Sequence, residues 1–445
     1  MSRPLFFHFS VAACTFAVAV PALYPLAHAE EPSKKATPAA PVFADVAPIL
    51  NRACVPCHRT GEVAPFALGT YAQAKRWAAM IADSTGRGAM PPWKAVKGFG
   101  EFHDERNLTG EERTTLAAWA KAGAPAGDLT KAPTAPNTPV LEWPAGTPDL
   151  TVSADAPYTL APEGKDEYRC FVLPTQFAQD AYVTLSQVKP GNRAVVHHVI
   201  LYADPTGTTA VQADNADPRP GFENPHAGGG PPTPGARPVA AWAPGSRAKP
   251  MPPGVAAKIP KGARLILEVH YHHTGKTEID QTRVGLTFAR DTVNQLAGGY
   301  AAAQPFLNLP AGNAHIPVKS RVTIKEDVHA LAVAPHMHLT GKEMHLWAEK
   351  PTGEKVELIW VKNWDFNWQD AYWFRAPIAL PQGTTVFMEA AFDNSASNPR
   401  NPHTPPQTLH WGESTTDEMC LALLAVTRDN ERRGITPPPW REAIR

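Results

Sequence analysis

Proline occurs 48 times in the 445 residues of this chain, beside 31 glycines, and that density limits the helices it can build. A proline inside a helix removes a backbone donor and clashes with the preceding turn, while glycine weakens regular structure through its backbone entropy. Short strands joined by turns fit such punctuation best. From residue 149 onward the runs AYVTLSQV, AVVHHVILY, RLILEVHYHH, RVGLTFA, ELIWV and TVFMEAAF are separated by Gly, Pro, Asn and Asp. The spacing predicts two all-β jelly-roll or sandwich domains in tandem, residues 149–300 and 301–430, with a C-terminal tail at 431–445. Residues 205–260 are rich in Gly and Pro without periodicity and read as a long connection inside the first of these domains. No internal repeat is visible.

The 42 basic and 42 acidic residues balance, so no overall field favours nucleic acid or an anionic membrane. The first 29 residues carry an early Arg3, an apolar stretch from Leu5 to Leu26 and a small-residue A-H-A ending at Ala29. This reads as a cleaved export signal and predicts a periplasmic or secreted protein with no stable membrane span after cleavage. A single anchor is disfavoured because Pro21 and Pro25 interrupt the run. Lipidation at Cys14 is disfavoured because apolar sequence follows it.

Residues 43–126 read as a small all-α unit. In ACVPCHR, Cys54 and Cys57 bracket two residues and His58 follows directly. That spacing suits covalent haem: the two thiols add across the vinyl groups and the adjacent imidazole becomes an axial iron ligand. Structural zinc would need a second ligand pair, and a redox dithiol would need a βαβ setting. FADVAPILNRA suggests the first helix. NLTGEERTTLAAWAKAGAP carries a capping box, Thr109 with Glu112, before Leu116, Trp119 and a stop at Gly123. In RGAMPPWKA, Met90 is placed to return to the iron as the sixth ligand, with Met80 as competitor. His/Met ligation gives a one-electron carrier with no open position. A Pro/Ala-rich linker, residues 127–148, follows as hinge or spacer.

Three histidine clusters stand in the β region. His336 and His338 lie two apart on an expected strand, so both imidazoles leave one face and can grip one metal ion. His197 and His198 are neighbours, which a regular strand points to opposite faces. Sharing an ion would need a bulge, a twist or the strand's end. His270 offers a third imidazole, with His272 on its face and His273 opposite as competitors. Imidazole-only ligation suits copper or zinc, and an added thioether selects copper.

The ordered set H-H, V-H-Y, H-M-H-L-T-G-K and S-T-T-D-E-M-C resembles the copper type II, ascorbate-dependent monooxygenases, the group of dopamine β-monooxygenase and peptidylglycine α-hydroxylating monooxygenase. The resemblance spans about residues 150–430, here with a cytochrome c-like domain in front. It implies two copper ions on two jelly rolls facing a solvent-filled cleft, with dioxygen as co-substrate and ascorbate or another one-electron donor as reductant. On the matching positions, His197, His198 and His270 would hold the electron-transfer copper. His336, His338 and Met419 would hold the oxygen-binding copper, where a substrate C–H bond is hydroxylated. The peptide-hydroxylating members grip a carboxylate with an arginine two residues before H-x-H and with polar residues after the methionine. Ala334, Leu421 and Leu423 stand here instead, so the resemblance points to a small organic substrate other than a peptide carboxylate. Cys170 and Cys420, the cysteines left after haem attachment, could pair or stay reduced.

A haem on the same chain predicts a tethered relay of single electrons from an external donor to the copper sites. The alternatives are a non-catalytic copper and haem electron-transfer or copper-binding protein, and a zinc-bearing lectin-like sandwich with a haem appendage.

Overall fold

Among the described residues from 149 onward most prolines fall between strands, and the strands stack as two sandwiches. A computed structural model describes residues 40–60, 64–136, 142–226, 230–243, 246–412 and 414–444. The expected export signal and Cys14 lie outside the described residues, as do positions 137–141 of the linker. From Pro41 onward the chain forms one compact unit with three large cores and two small satellite clusters.

The first core is helical. Phe43–Ala53 and Gly110–Lys121 pack Val46, Leu50, Leu116 and Trp119 together, with Tyr71–Arg76 and Ala78–Gly86 alongside. The expected capping box is present: the Thr109 hydroxyl accepts from the Glu112 amide at 3.1 Å, and the Glu112 carboxylate accepts from the Thr109 amide at 2.8 Å. Gly123 ends the helix at φ +81°, a conformation a side chain would resist.

The second core lies between two five-stranded sheets. One contains, in order, Phe222–Glu223, Glu167–Val172, Arg264–Tyr271, Val196–Asp204 and Arg237–Trp242. The other runs Leu150–Ser153, Arg283–Phe288, Ala181–Lys189, Val255–Ile259 and Gln295–Leu296. Alternation puts Val199, Leu201, Leu265, Leu267 and Val269 inside. The stretch 205–260 departs from the expected featureless connection. It holds a two-turn helix, Thr209–Ala216, and contributes both outer strands, Phe222–Glu223 and Arg237–Trp242, to one sheet and an inner strand to the other. These strands are too short to show a period, and their stability comes from partners such as Val199, which pairs with Trp242.

The third core lies between two four-stranded sheets. Gly298–Ala303, Cys420–Arg428, Val328–Met337 and Tyr372–Leu380 form one, and Ile316–Thr323, Thr385–Phe392, Gly341–Glu349 and Lys355–Val361 the other. Two segments from elsewhere join these sandwiches. A strap following Met90 places Trp93, Ala95 and Phe102 in the third core, with ladder contacts Ala95 to Val361 and Phe102 to Phe374. The tail places Ala443 in the second core, where the Ala178 amide donates to its carbonyl at 2.7 Å. No helix among the described residues is long and apolar enough to cross a membrane.

Candidate metal centre

His197 and His198 share a face because the strand carrying them is bulged. Val196 pairs with Tyr271 and His198 with His270, so two steps on one strand meet one step on the other. His197 is the extra residue, and the local twist turns its ring toward its neighbours. A ring nitrogen from each of His197, His198 and His270 lies within 4.8 Å of the others. The competitors are placed elsewhere. Both nitrogens of His273 lie 2.8 Å from backbone carbonyls, of Ala161 and Lys165, and His272 stands 6.5 Å from His197 between ring centres.

Burial holds these rings neutral. It lowers His197 to about 3, drives His198 well below its ordinary value, and lowers His270 against the opposing pull of Asp166. A neutral imidazole keeps a lone pair for a metal. The Nε2–H of His270 donates to Asp166 at 3.0 Å, leaving Nδ1 toward the cluster. Nε2 of His197 is buried without a hydrogen-bond partner among the described residues. Nδ1 of His198 lies 3.3 Å from Nδ1 of His197 and 3.3 Å from Nδ1 of His270, and three neutral imidazole nitrogens gathered so closely fit a soft or borderline cation such as copper.

His336 is the penultimate residue of its strand, Val328–Met337, and His338 follows just past the end. Their rings are 5.2 Å apart and perpendicular. Nδ1 of His336 lies 2.5 Å from the Gln369 side-chain oxygen, and Nδ1 of His338 donates to the Asp417 carbonyl at 3.2 Å, so both present Nε2. Burial lowers the pair to about 4 and about 3. Because Met337 pairs with Cys420 and His336 with Leu421, the continued antiparallel register sets Met419 opposite His338. Glu418 fixes that junction: its two oxygens accept from the amides of His338 at 3.1 Å and Thr340 at 2.9 Å, and burial raises its carboxyl to about 8.

The two clusters meet across one aromatic ring. Phe366 stacks on His197 with ring centres 4.5 Å apart and lies 5.6 Å from His338 at 75°. Where the resemblance implies a solvent-filled cleft, a buried phenyl group stands between the histidine sets. Beside His336 the sheet surface is apolar: Leu421 pairs with His336, Leu423 with Ala334, and Leu423 is 49% exposed.

The C-x-x-C-H motif closes the first helix. The amides of Cys57 and His58 donate to the Cys54 carbonyl at 3.1 and 2.9 Å, gathering both sulfurs and the imidazole into one turn. His58 donates through Nδ1 to the Phe66 carbonyl at 3.1 Å, leaving Nε2 for a ligand, and this fits an axial haem histidine. Burial pushes the Cys54 thiol up to about 12. Met90, partly buried, begins the strap, its amide donating to the Ser84 carbonyl at 3.1 Å. Cys170 and Cys420 are both buried free thiols and form no disulfide.

Asp166, Gln369, Phe366 and Glu418 were not legible as site residues. They arrive from segments remote in sequence, and only Glu418, next to Met419 in the quoted motif, had a local signal.

Residues 313–426 match the family model described as copper type II ascorbate-dependent monooxygenase, C-terminal domain. The chain is 25% identical over 285 residues to DBH-like monooxygenase protein 1 of Homo sapiens, covering 58% of this chain and 43% of that one. It is 25% identical over 227 residues to the protein of the same name from Gallus gallus, covering 46% and 36%. The chain therefore spans less than half the length of these relatives. Among solved structures, PNGF-II aligns at a TM-score of 0.27 and 10% identity over 64% of this chain and 66% of that one, a likeness too loose to carry an argument.

Proposed function

Taking as premise the copper type II monooxygenase family, which these matches support, we propose that the chain is an exported, copper-dependent hydroxylase with its own haem electron relay. His197, His198 and His270 hold one copper ion; His336, His338 and Met419 hold the other. Cys54 and Cys57 attach the haem, with His58 and Met90 as axial ligands. Bound by these donors, copper would supply one-electron redox chemistry and activation of dioxygen. The reaction takes R–H, dioxygen, two electrons and two protons to R–OH and water.

The chain's own residues prepare that reaction in stated ways. Gln369 and the Asp417 carbonyl hold the Nδ1 protons of His336 and His338, so both rings face the site in one tautomer. Glu418 holds the turn that bears His338 against the segment that bears Met419. Ala334, Leu421 and Leu423 offer an apolar wall to a small organic substrate and no cation to a carboxylate. The electrons would come from ascorbate or another external one-electron donor, and a haem held by Cys54, Cys57, His58 and Met90 would supply one-electron carriage between that donor and the copper sites.

The bulge at His197 carries this reading, because it gathers three neutral imidazoles that a regular strand would have parted. The test is metal analysis and electron paramagnetic resonance of purified protein, then oxygen uptake with candidate organic substrates. Two type II copper signals per chain and substrate-dependent uptake that falls to background in Met419→Ala are expected. Zinc in place of copper would overturn the proposal, and copper without uptake would leave an electron-transfer protein.

A further inference from the structure

One loop, residues 362–371, touches both the strap that follows Met90 and the two histidine clusters. On the strap side, the Lys94 ammonium meets Asp365 at 3.4 Å with only 9% of the lysine side chain exposed, and Arg106 meets Asp370 at 3.4 Å. Trp93 packs edge-on against Tyr372, where the loop ends, with ring centres 5.0 Å apart. On the histidine side, the Trp364 indole donates to the His338 carbonyl at 2.9 Å, Gln369 holds His336, and Phe366 lies on His197. Asp365 and Phe366 are adjacent in the chain. An unbroken series of covalent and contact steps therefore runs from Met90 through Trp93 and Lys94 to Asp365, Phe366 and His197.

We propose that this loop is the electron bridge of the molecule, with Phe366 as the residue that positions and couples His197 to the strap. One electron leaves iron ligated by Met90, oxidising it from the ferrous to the ferric state. That electron reduces copper held by His197 from Cu(II) to Cu(I), and the external one-electron donor restores the iron. Tunnelling weakens steeply across each gap between bonded groups, and here a partly buried ion pair and a stacked ring span the two gaps between bonded segments. The ring's second contact, with His338, places the same bridge against the other cluster.

This inference rests on the relay reading above, and the experiment separates the two. In full-length protein carrying haem and Cu(II), without oxygen, the haem is reduced by a flash-generated one-electron donor. Its reoxidation is followed in the haem absorption band and matched to loss of the Cu(II) resonance signal. Phe366→Leu is expected to slow reoxidation by about tenfold or more, while Phe366→Tyr, which keeps the ring, stays near wild type. Reoxidation of Phe366→Leu at the wild-type rate would overturn the bridge. Wild-type haem that never reoxidises would overturn the relay itself, whatever Phe366 does. Should Phe366→Leu change the copper signals, Lys94→Met, whose side chain is paired to Asp365, is read in its place with the same two outcomes.

Discussion

Asp166 acts on two segments at once. It accepts from the Nε2–H of His270 and from the Thr415 hydroxyl, so the carboxylate that fixes one histidine cluster also holds the stretch leading to Met419. Replacing it with alanine frees the His270 ring, and copper affinity at the first cluster should fall about 10- to 100-fold, measured by competition with a chelator. An unchanged affinity would show that the ring is fixed by packing alone, for instance by Tyr168 stacked on it at 4.1 Å. A second expectation concerns protons. His197, His336 and His338 titrate at about 3, 4 and 3 in the folded chain, against 6.5 for a free imidazole. Below 6.5 the unfolded chain binds protons that the folded chain refuses. The stability these neutral rings contribute is therefore complete above about pH 6.5 and lost as pH falls toward about 4 and then 3. The urea midpoint of the metal-free protein should drop along that window, and a flat midpoint would contradict the burial argument. The ligand candidates themselves were legible in sequence, because H-x-H and H-H are local patterns. Asp166 and Gln369 were not, since a partner across the fold leaves no spacing to read.

Strand geometry decides which of those patterns becomes a site. The sequence shows that His197 and His198 need a bulge, a twist or a strand end to share an ion, and the register break between Val196 and His198 shows which of them operates. The H-x-H pair needs no such device, although the strand ends between its members. Just beyond lies Gly341, where an added Cβ would sit 2.7 Å from the Trp364 ring and 2.8 Å from the Met337 Cβ. Gly341→Ala should therefore push Trp364 off the His338 carbonyl and cost about 1–3 kcal/mol. The loss would be read as a lower denaturant midpoint, with a changed resonance signal from copper loaded at the His336 and His338 pair. Retention of both would mean the indole has room to move. The helix and strands within 205–260 escaped the sequence because pairing with Val196–Asp204 and Ala181–Lys189, and not any internal period, holds them in place.

At the level of the molecule, the helical unit and the second sandwich are not beads on a string. Phe102 is 2% exposed, stacked on Phe374 with ring centres 5.4 Å apart, inside a core that takes only Trp93, Ala95 and Phe102 from the strap and the rest from the last sandwich. Phe102→Ala should cost about 3–5 kcal/mol and lower the unfolding midpoint of that sandwich, and a loss confined to the helices would show the strap to be passive. Nothing local in the strap's sequence marks this docking, because an aromatic in a Gly/Pro-rich loop packs equally well on its own helices. The same holds for the tail, whose Trp440 stacks on Phe288 and whose Ile444 pairs with Phe177, in the first sandwich. That return has a consequence for how the protein is made. The first sandwich leaves the ribosome before the second, yet its seam waits for residues 440–444, so the part synthesised earlier is sealed later. A chain stalled short of Trp440 would carry an open edge through the whole of its biogenesis.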